Sequence, residues 1–461
     1  MIVETAAGRI RGEAHGEVAA FRGIPYAAAA RFEPPRPAGP WPGVLNATAP
    51  GPAAPQPASR LERVMGARAM EQSEDCLFLN VWTPTAPVAG GRPVLVFLHG
   101  GGYSSGSGGL DWYDGGVLAE RGDIVVVTVN YRLGALGFLY LPGLSEGNLG
   151  LRDQLSALRW VQENITAFGG DPRAVTVAGQ SAGAFSILAL LSGTAARGLF
   201  QRAILQSAPA GMVPQTPARA TEVGTLLLDA LGLRPDRAGN LRDVPVAELL
   251  AAQGRVAGKT SRLLDPTPPF HLVADGELVA ADLVAAAGEA GTGGVEVIIG
   301  TTRDEASAFL ALNDRVAALG PDELALAATA WFGDPARAFA PGRTPAESAA
   351  ELSTAHMFSE PALRLAELFA GHGDPVWVYR FDWQPAGSPY GACHCIELPF
   401  VFGDPAAWRD APMLGGEQPA RLVAQVQRAW AGFVRRGDPG WPRYERGEPV
   451  VRRFTGVPGL G

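Results

Sequence analysis

The pattern of hydrophobic positions predicts alternating strands and helices. Four short apolar runs, rich in β-branched residues, are each followed by a turn and a helical pattern: Pro93 to Leu98, Ile124 to Val129, Val175 to Ala178 and Val295 to Ile299. Such β-then-α alternation is typical of a largely parallel sheet that helices cover on both faces. The sequence therefore predicts an α/β fold, in which ligands bind at the carboxyl ends of the strands.

The rest of the chain shows no boundary between domains. Residues 210 to 290 are rich in Ala and Leu at helical spacing, which predicts a helical insertion that could serve as a lid or pocket wall. The stretch from Pro34 to Ser59 is rich in Pro, Gly and Ala, and it predicts an irregular surface excursion rather than a linker. Large α/β enzymes often build several hundred residues on one sheet, so we expect a single domain over residues 1–461.

Composition places the chain among folded globular proteins. Of its 461 residues, 47% are hydrophobic and 18% are charged, which is not the composition of a disordered chain. The 46 Asp and Glu residues outnumber the 38 Lys and Arg residues and give a net charge of -8. No basic surface for a nucleic acid is therefore expected.

Three features of the sequence predict a reduced, cytoplasmic protein without a membrane anchor. The N-terminal segment carries Glu4 and lacks the apolar core of a signal peptide. The longest apolar runs are far shorter than the ~20 residues that span a bilayer. Cys393 and Cys395 flank a single residue, a spacing that strains a disulfide, and Cys76 lies far from both along the chain.

A candidate nucleophile lies between a strand and a helix. The strand at Val175 to Ala178 leads into Gly179-Gln-Ser181-Ala-Gly183 and then into an apolar helical run. This order fits the G-x-S-x-G elbow, in which small residues permit a sharp turn that lifts the serine hydroxyl above the sheet. We therefore predict that Ser181 is a nucleophile, the alternative being a small residue in a tight turn.

A serine nucleophile needs a base and an acid, and the chain order of such sites is Ser, then Asp or Glu, then His. His394 fits the base, because it follows a strand-like run and a loop with Pro and Gly. The residues alone leave the acid open between Asp304 and Glu305, which follow the strand ending at Ile299, and Asp275 in a turn-like Asp-Gly pair. Any of these carboxylates could orient the imidazole and stabilise its charged form.

An oxyanion hole is predicted after another strand. His99-Gly-Gly-Gly102 directly follows the strand ending at Leu98, and such a glycine-rich loop aims backbone N–H groups at developing negative charge. The N–H of Ala182, the residue after the candidate nucleophile, would complete the hole. The alternative for the three glycines is a flexible turn.

Two long signatures carry a resemblance to a known family: Phe168 to Gly183 (FGGDPRAVTVAGQSAG) and Glu74 to Pro84 (EDCLFLNVWTP). The chain resembles the type-B carboxylesterases of the α/β-hydrolase fold, a group that includes bacterial para-nitrobenzyl esterases, animal carboxylesterases and cholinesterases. The likeness extends over nearly the whole chain. It implies a central, mostly parallel, twisted sheet that is flanked by helices.

The resemblance also assigns roles. It implies Ser181 as nucleophile, His394 as base and Glu305, in preference to Asp304, as the acid. It implies Gly101, Gly102 and Ala182 as the oxyanion N–H donors and His99 as a residue that shapes the loop. No metal and no organic cofactor is implied.

Departures from the family pattern bear on the substrate. Gln180 replaces the acidic residue common before the nucleophile, and Ala308 stands where cholinesterases place a cation-binding aromatic residue. The second such aromatic residue would fall near Gly66. Without those partners, binding of a quaternary ammonium is disfavoured. We therefore expect a serine carboxylesterase that hydrolyses neutral esters of short to medium acyl chains.

Two other functions stay open. One is a related acyl hydrolase that acts on amides, carbamates or lipids, since only the shape of the pocket would differ. The other is a non-catalytic binding protein on the same fold. The only partner expected is a small-molecule ester, and although the sequence does not specify an oligomeric state, a monomer is compatible with it.

Overall fold

Ten strands form one sheet in the computed structural model, which describes residues 1–339 and 342–456. Across the sheet, the strands lie in the order β10-β9-β8-β7-β6-β4-β5-β3-β2-β1. In chain order, their bounds are β1 (Glu13–His15), β2 (Val18–Pro25), β3 (Phe78–Pro84), β4 (Arg92–Leu98), β5 (Val125–Val129), β6 (Gly170–Gln180), β7 (Arg202–Gln206), β8 (Glu296–Thr302), β9 (Val376–Phe381) and β10 (Val451–Phe454).

The strands from β10 to β5 in this order are mutually parallel, and β3, β2 and β1 add an antiparallel edge. The predicted α/β sheet, largely parallel, is therefore confirmed. Smaller sheets are formed by Ile2–Thr5, Gly8–Arg11 and Val44–Asn46, by Ala27–Ala28 with Arg36–Pro37, and by Tyr140–Leu141 with Ser145–Glu146.

Helices follow most of the parallel strands and cover both faces of the sheet. The α-helices are α1 (Glu62–Met65), α2 (Gly116–Gly122), α3 (Gly134–Phe138), α4 (Leu149–Asn164), α5 (Ala182–Ser192), α6 (Pro217–Ala230), α7 (Val246–Thr260), α8 (Leu283–Ala290), α9 (Ser307–Leu310), α10 (Asp314–Ala317), α11 (Pro321–Phe332), α12 (Pro345–Thr354), α13 (Glu360–Gly371), α14 (Leu398–Phe402) and α15 (Ala420–Arg436). Short 3-10 segments are Asp111–Tyr113, Ile165–Phe168, Pro235–Arg242, Pro335–Ala338 and Pro412–Leu414, and Ala355–Ser359 forms a π-helical turn.

Two hydrophobic cores lie on opposite faces of the sheet, and the alternation along β4 shows why. Val94, Val96 and Leu98 belong to one core, whereas Leu95 and Phe97 belong to the other. A parallel strand that is buried on both faces needs apolar side chains at every position, which explains the continuous hydrophobic runs of the sequence. None of the helices in the described part of the chain has the length and apolarity needed to cross a membrane.

Residues 210 to 290 contain α6, α7, α8 and the 3-10 segment Pro235–Arg242. The apolar spacing noted in the sequence buries one side of α6, where Val223 and Leu227 belong to the first core. Gln253 of α7 accepts the N–H of Ala135 and so ties this segment to α3. Whether the segment moves as a lid stays a prediction.

The stretch from Pro34 to Ser59 differs from the predicted surface excursion at its end. Residues 53 to 56 are buried. The cause is hydrogen bonding that the composition does not show, since the Gln56 side chain donates to Gly106 O and accepts the N–H of Gly106. This stretch therefore supports the loop that follows β4.

Candidate active site

Ser181 occupies a sharp turn between β6 and α5. Its backbone has φ 55° and ψ -122°, a left-handed φ that costs free energy in a residue other than glycine. The turn is held by the Ser181 N–H, which donates to Gln206 O at 2.8 Å, and by close packing at Gly183, where a Cβ would come within 2.1 Å of Leu98 O. The G-x-S-x-G pattern is thus explained by close approach of the backbone.

His394 and Glu305 form a buried pair. The distance from His394 Nδ1 to Glu305 Oε2 is 2.6 Å, and the two residues are 1% and 0% exposed. Glu305 Oε1 accepts the N–H of Thr302 at 2.7 Å, so both carboxylate oxygens have donors. The carboxylate can therefore fix the imidazole with Nδ1 protonated and Nε2 available as a base.

The other carboxylates that the sequence left open lie elsewhere. Asp304 pairs with Arg303 and accepts the N–H of Ala392 at 2.8 Å. Asp275 accepts a hydrogen bond from Asn148 and three backbone N–H groups, which lower its pKa against the opposing effect of burial. Neither contacts His394, so of the three only Glu305 is placed against the imidazole.

The second ring nitrogen of His394 faces Gln180 rather than Ser181. The distance between His394 Nε2 and Gln180 Nε2 is 3.1 Å, and among the described residues no hydrogen bond joins the Ser181 hydroxyl to the imidazole. The rings of Phe309 and Phe358 pack on the imidazole with centroids at 5.4 and 5.1 Å. Catalytic hydrogen bonds are often absent or long without substrate, so this geometry describes a resting arrangement.

The loop after β4 leaves two N–H groups free. Gly101 has φ +114° and a Cβ there would come within 1.9 Å of Ser105 O, so only glycine fits. In the described part of the chain, no protein acceptor takes the N–H of Gly101 or Gly102. The N–H of Ala182 lies in the first turn of α5, where backbone donors have no acceptor within the helix. The three predicted oxyanion donors are therefore unoccupied by protein groups.

His99 is buried and holds this loop. Its Nδ1 lies 2.7 Å from Gly100 O, and its ring stacks on Tyr131 with centroids 4.3 Å apart. Burial lowers the pKa of His99 to about 4, so the imidazole is neutral at pH 7. This environment suits a loop-shaping residue and not a base that must gain charge during a reaction.

A second buried carboxyl group lies behind the pair. Glu397 is 0% exposed, and its Oε1 accepts a long hydrogen bond of 3.3 Å from Gln206. Burial and the nearby Glu305 carboxylate raise the pKa of Glu397 to about 8. The Glu397 carboxyl group is therefore protonated at neutral pH. Glu305 is then the one negatively charged group of the two buried carboxyl groups.

This shift predicts a pH-dependent stability. The pKa of Glu397 is higher in the folded protein than in the unfolded chain. Its contribution to the free energy of unfolding is therefore full below the unfolded pKa and is lost as the pH rises through about 8. The free energy of unfolding of wild type relative to Glu397→Gln should therefore fall between pH 5 and 8, by at most about 1.4 kcal/mol per pH unit. Urea titrations at pH 5, 6.5 and 8 measure this difference. A difference that stays constant with pH would contradict the raised pKa of Glu397, and Glu289→Gln, which replaces an exposed glutamate, is the matched control.

A pocket lies in front of Ser181 and His394. It is reached by Ser181, His394, the glycine loop, residues 56 to 62 and residues 266 to 268. Gly66 lines it, as does Phe309 in place of its neighbour Ala308. Its apolar wall includes Leu61, Met65, Met70, Leu110, Trp112, Met212, Phe309, Met357 and Phe358.

Comparisons of the sequence and of the structure with known proteins identify a family. The model of the Carboxylesterase family matches residues 1–334 and 336–454. The chain belongs to the carboxylesterase family. It is 38% identical over 463 residues to the para-nitrobenzyl esterase of Bacillus subtilis (strain 168), with 96% of this chain and 92% of that relative covered. A solved PNB esterase superposes with a TM-score of 0.89 at 35% identity and covers 99% of this chain and 96% of that one.

Another relative carries a different name. The "Probable N-octanoylanthranilate hydrolase AqdA2" of Rhodococcus erythropolis is 41% identical over 447 residues, which cover 94% of this chain and 93% of that relative. As a member of the carboxylesterase family with the α/β-hydrolase fold, the protein is a serine carboxylesterase that hydrolyses esters, and small-molecule esters are its substrates. The predicted family, fold class and reaction class are thereby confirmed.

The sequence did not predict several residues of the pocket. Phe309 and Phe358 flank the imidazole from segments that read as ordinary hydrophobic helix, and Arg60 reads as a single solvated charge in an irregular stretch. The sequence shows that Gln180 replaces the acidic residue common in the family, but it does not predict the contact of Gln180 with His394. Only the contacts between distant segments identify these residues.

Proposed function

We propose that Ser181, His394 and Glu305 form the catalytic triad of this carboxylesterase. The observation that carries the proposal is the buried 2.6 Å pair of Glu305 and His394, which faces the pocket that also holds Ser181 on its strained turn. In the free protein the Gln180 amide occupies His394 Nε2. The imidazole must exchange that partner for the Ser181 hydroxyl when substrate binds.

The reaction then follows from the chemistry of these groups. Ser181 Oγ attacks the ester carbonyl carbon as its proton passes to His394 Nε2, and the alcohol leaves with that proton. Water, deprotonated by His394, attacks the acyl-enzyme, and the acid leaves as His394 returns that proton to Ser181 Oγ. The N–H groups of Gly101, Gly102 and Ala182 would stabilise the oxyanion of both tetrahedral intermediates, and loss of one such donor typically costs about 3 to 4 kcal/mol.

The substrate that the pocket supports best is an ester without positive charge. The wall of the pocket is mostly apolar, and it includes the charged residues Arg60, Arg68 and Glu62. Two guanidinium groups repel a quaternary ammonium, in line with the lack of an aromatic residue at Ala308 and Gly66. Short to medium acyl esters are therefore the first substrates to test.

Amide hydrolysis is the second candidate function. It is favoured by the likeness to the N-octanoylanthranilate hydrolase, whose named substrate is an N-acyl amide with a carboxylate. The proposed chemistry is the same for ester and amide, except that His394 must protonate an amine leaving group. Parallel assays of an octanoyl ester and N-octanoylanthranilate separate the two.

The compartment and the partners are also proposals. Cys76, Cys393 and Cys395 are all buried and free in the described residues, which supports a reduced, cytoplasmic setting. Burial raises the pKa of all three thiols, so they are poor ligands and poor nucleophiles. The net charge of -8 disfavours a nucleic acid as a partner.

Active-site labelling tests the proposal. A fluorophosphonate should modify the wild-type protein at one site per chain, and peptide mapping should place the label on Ser181. Hydrolysis of para-nitrophenyl acetate should show a burst of one nitrophenolate per chain, as expected for an acyl-enzyme. A folded protein that takes no label and hydrolyses no ester would instead be a binding protein. A label on another serine would remove Ser181 from its role.

A further inference from the structure

Arg60 places a guanidinium group inside the substrate pocket. The residue precedes α1 and lines the pocket together with the glycine loop. A Cβ built on Gly102 would lie 2.7 Å from Arg60 Nη2, so the cation lies beside Gly102, one of the residues proposed to supply an oxyanion N–H. Arg60 and Ser181 therefore line the same pocket, with the guanidinium close to the glycine loop.

Most of the donors of this guanidinium are free. A guanidinium carries five N–H groups, and one of them, on Nη1, donates to Pro266 O at 2.8 Å. Among the described residues no other acceptor binds it, and no carboxylate oxygen lies within ion-pair distance. The single bond to Pro266 fixes the group across the pocket and leaves the Nη2 edge available.

The surroundings make this charge effective. Arg60 is solvent-exposed by surface area, yet that surface faces the concave pocket, and the enclosing protein lowers the pKa of its guanidinium by desolvation. Asp265 opposes that shift from a distance too long for an ion pair. A partly desolvated cation with free, forked donors is the arrangement that binds a carboxylate by two parallel hydrogen bonds.

The other charges of the pocket do not take this role. The guanidinium of Arg68 is already bound to Ala67 O at 2.9 Å and Ala407 O at 2.7 Å, and it lies over the ring of Trp112. Glu62 lines the pocket but is exposed and forms no ion pair with Arg60. Arg60 is therefore the cation whose free Nη2 edge can bind a ligand while its hydrogen bond to Pro266 O stays in place.

We propose that Arg60 binds an anionic group of the substrate, and that the protein hydrolyses esters bearing a carboxylate near the scissile bond faster than their neutral counterparts. This inference rests on the proposed triad and goes beyond the neutral esters expected from the sequence.

Two pairs of substrates that differ in charge test this preference. On the alcohol side, 4-acetoxybenzoate is compared with 4-acetoxybenzamide. On the acyl side, the mono-4-nitrophenyl ester of adipic acid is compared with that of adipamic acid. Wild type should show a kcat/KM at least ~10-fold higher for the charged member of one pair, mainly through KM, and this ratio should fall as salt is raised.

Variants of the full chain assign the effect to Arg60. Arg60→Gln should remove most of the preference, while Arg60→Lys should keep part of it, because charge persists without the fork. Arg63→Gln is the matched control, since Arg63 lies on the same short segment, carries the same charge and does not line the pocket. Its ratio should equal that of wild type.

The outcomes separate the two proposals. Equal rates within both wild-type pairs, or a preference that survives in Arg60→Gln, would overturn the role of Arg60 while hydrolysis of neutral esters leaves the triad standing. Loss of the preference in Arg63→Gln would assign it to net charge and would likewise overturn it. A wild type that hydrolyses none of the four esters and takes no fluorophosphonate label would overturn the proposed function itself.

Discussion

Substitution of Ser181 by Ala should reduce kcat/KM for para-nitrophenyl butyrate by roughly 10^4- to 10^6-fold, the range found when a triad serine is removed. The change deletes the oxygen that is proposed to form the acyl-enzyme, and water must then attack the ester directly. The strained turn, the oxyanion donors and the pocket all remain, so the residual rate reports what they contribute alone. Steady-state kinetics on both proteins, with burst amplitudes, measure the loss.

The matched control is Ser186→Ala on α5, the helix that begins directly after Ser181. Ser186 is buried and its hydroxyl lies 3.2 Å from the Tyr103 hydroxyl, so the substitution also deletes a buried serine oxygen near the elbow. It should cost about 1 kcal/mol of stability, the typical worth of one hydrogen bond, and less than ~10-fold in rate. A similar collapse of activity in both variants would mean that the loss comes from damage to α5 and not from the nucleophile.

Glu305→Gln should lower kcat by roughly 10^3- to 10^4-fold, because an amide of the same shape cannot stabilise the imidazolium that forms during attack. It can also donate to His394 Nδ1, which would place the proton on Nε2 and block its action as a base. The variant should still bind substrate, so KM should change much less than kcat.

Asp304→Asn distinguishes the acid from its neighbour. Asp304 accepts the N–H of Ala392 and so supports the loop that carries His394, but it does not touch the imidazole. Its loss should cost at most about tenfold. Equal losses in both variants would contradict the assignment of Glu305 and would mean that the loop, not the carboxylate against the imidazole, sets the rate.

The sequence specified those parts of the site that depend on short, local rules. The turn at Ser181 needs small neighbours within two residues, and Gly101 needs a backbone that only glycine adopts, so both leave a visible motif. The parallel strands are buried on both faces and therefore read as unbroken apolar runs. The acid differs, because Asp304 and Glu305 are adjacent and only the approach of the His394 loop separates their roles.

Other parts of the site have no local signature. The contact of Gln180 with His394 joins the end of β6 to the loop after β9, and an amide at that position has no fixed partner in sequence. Arg60 resembles any exposed arginine until Pro266, from a segment far along the chain, is placed beside it. The position of Arg60 depends on how residues 56 to 62 meet residues 266 to 268, and that of Gln180 depends on the loop that carries His394. Neither hydrophobic periodicity nor a motif encodes such contacts.

The bond between Arg60 and Pro266 has a consequence for how the protein can diversify. The proposed nucleophile lies at the end of β6 and the proposed acid follows the end of β8, whereas part of the pocket wall comes from residues 56 to 62 and 266 to 268. Loops tolerate insertion and substitution better than the strands that support them. Substrate range and reaction are therefore carried by separable stretches of chain, and exchange of one loop pair can redirect the enzyme while its chemistry is inherited unchanged.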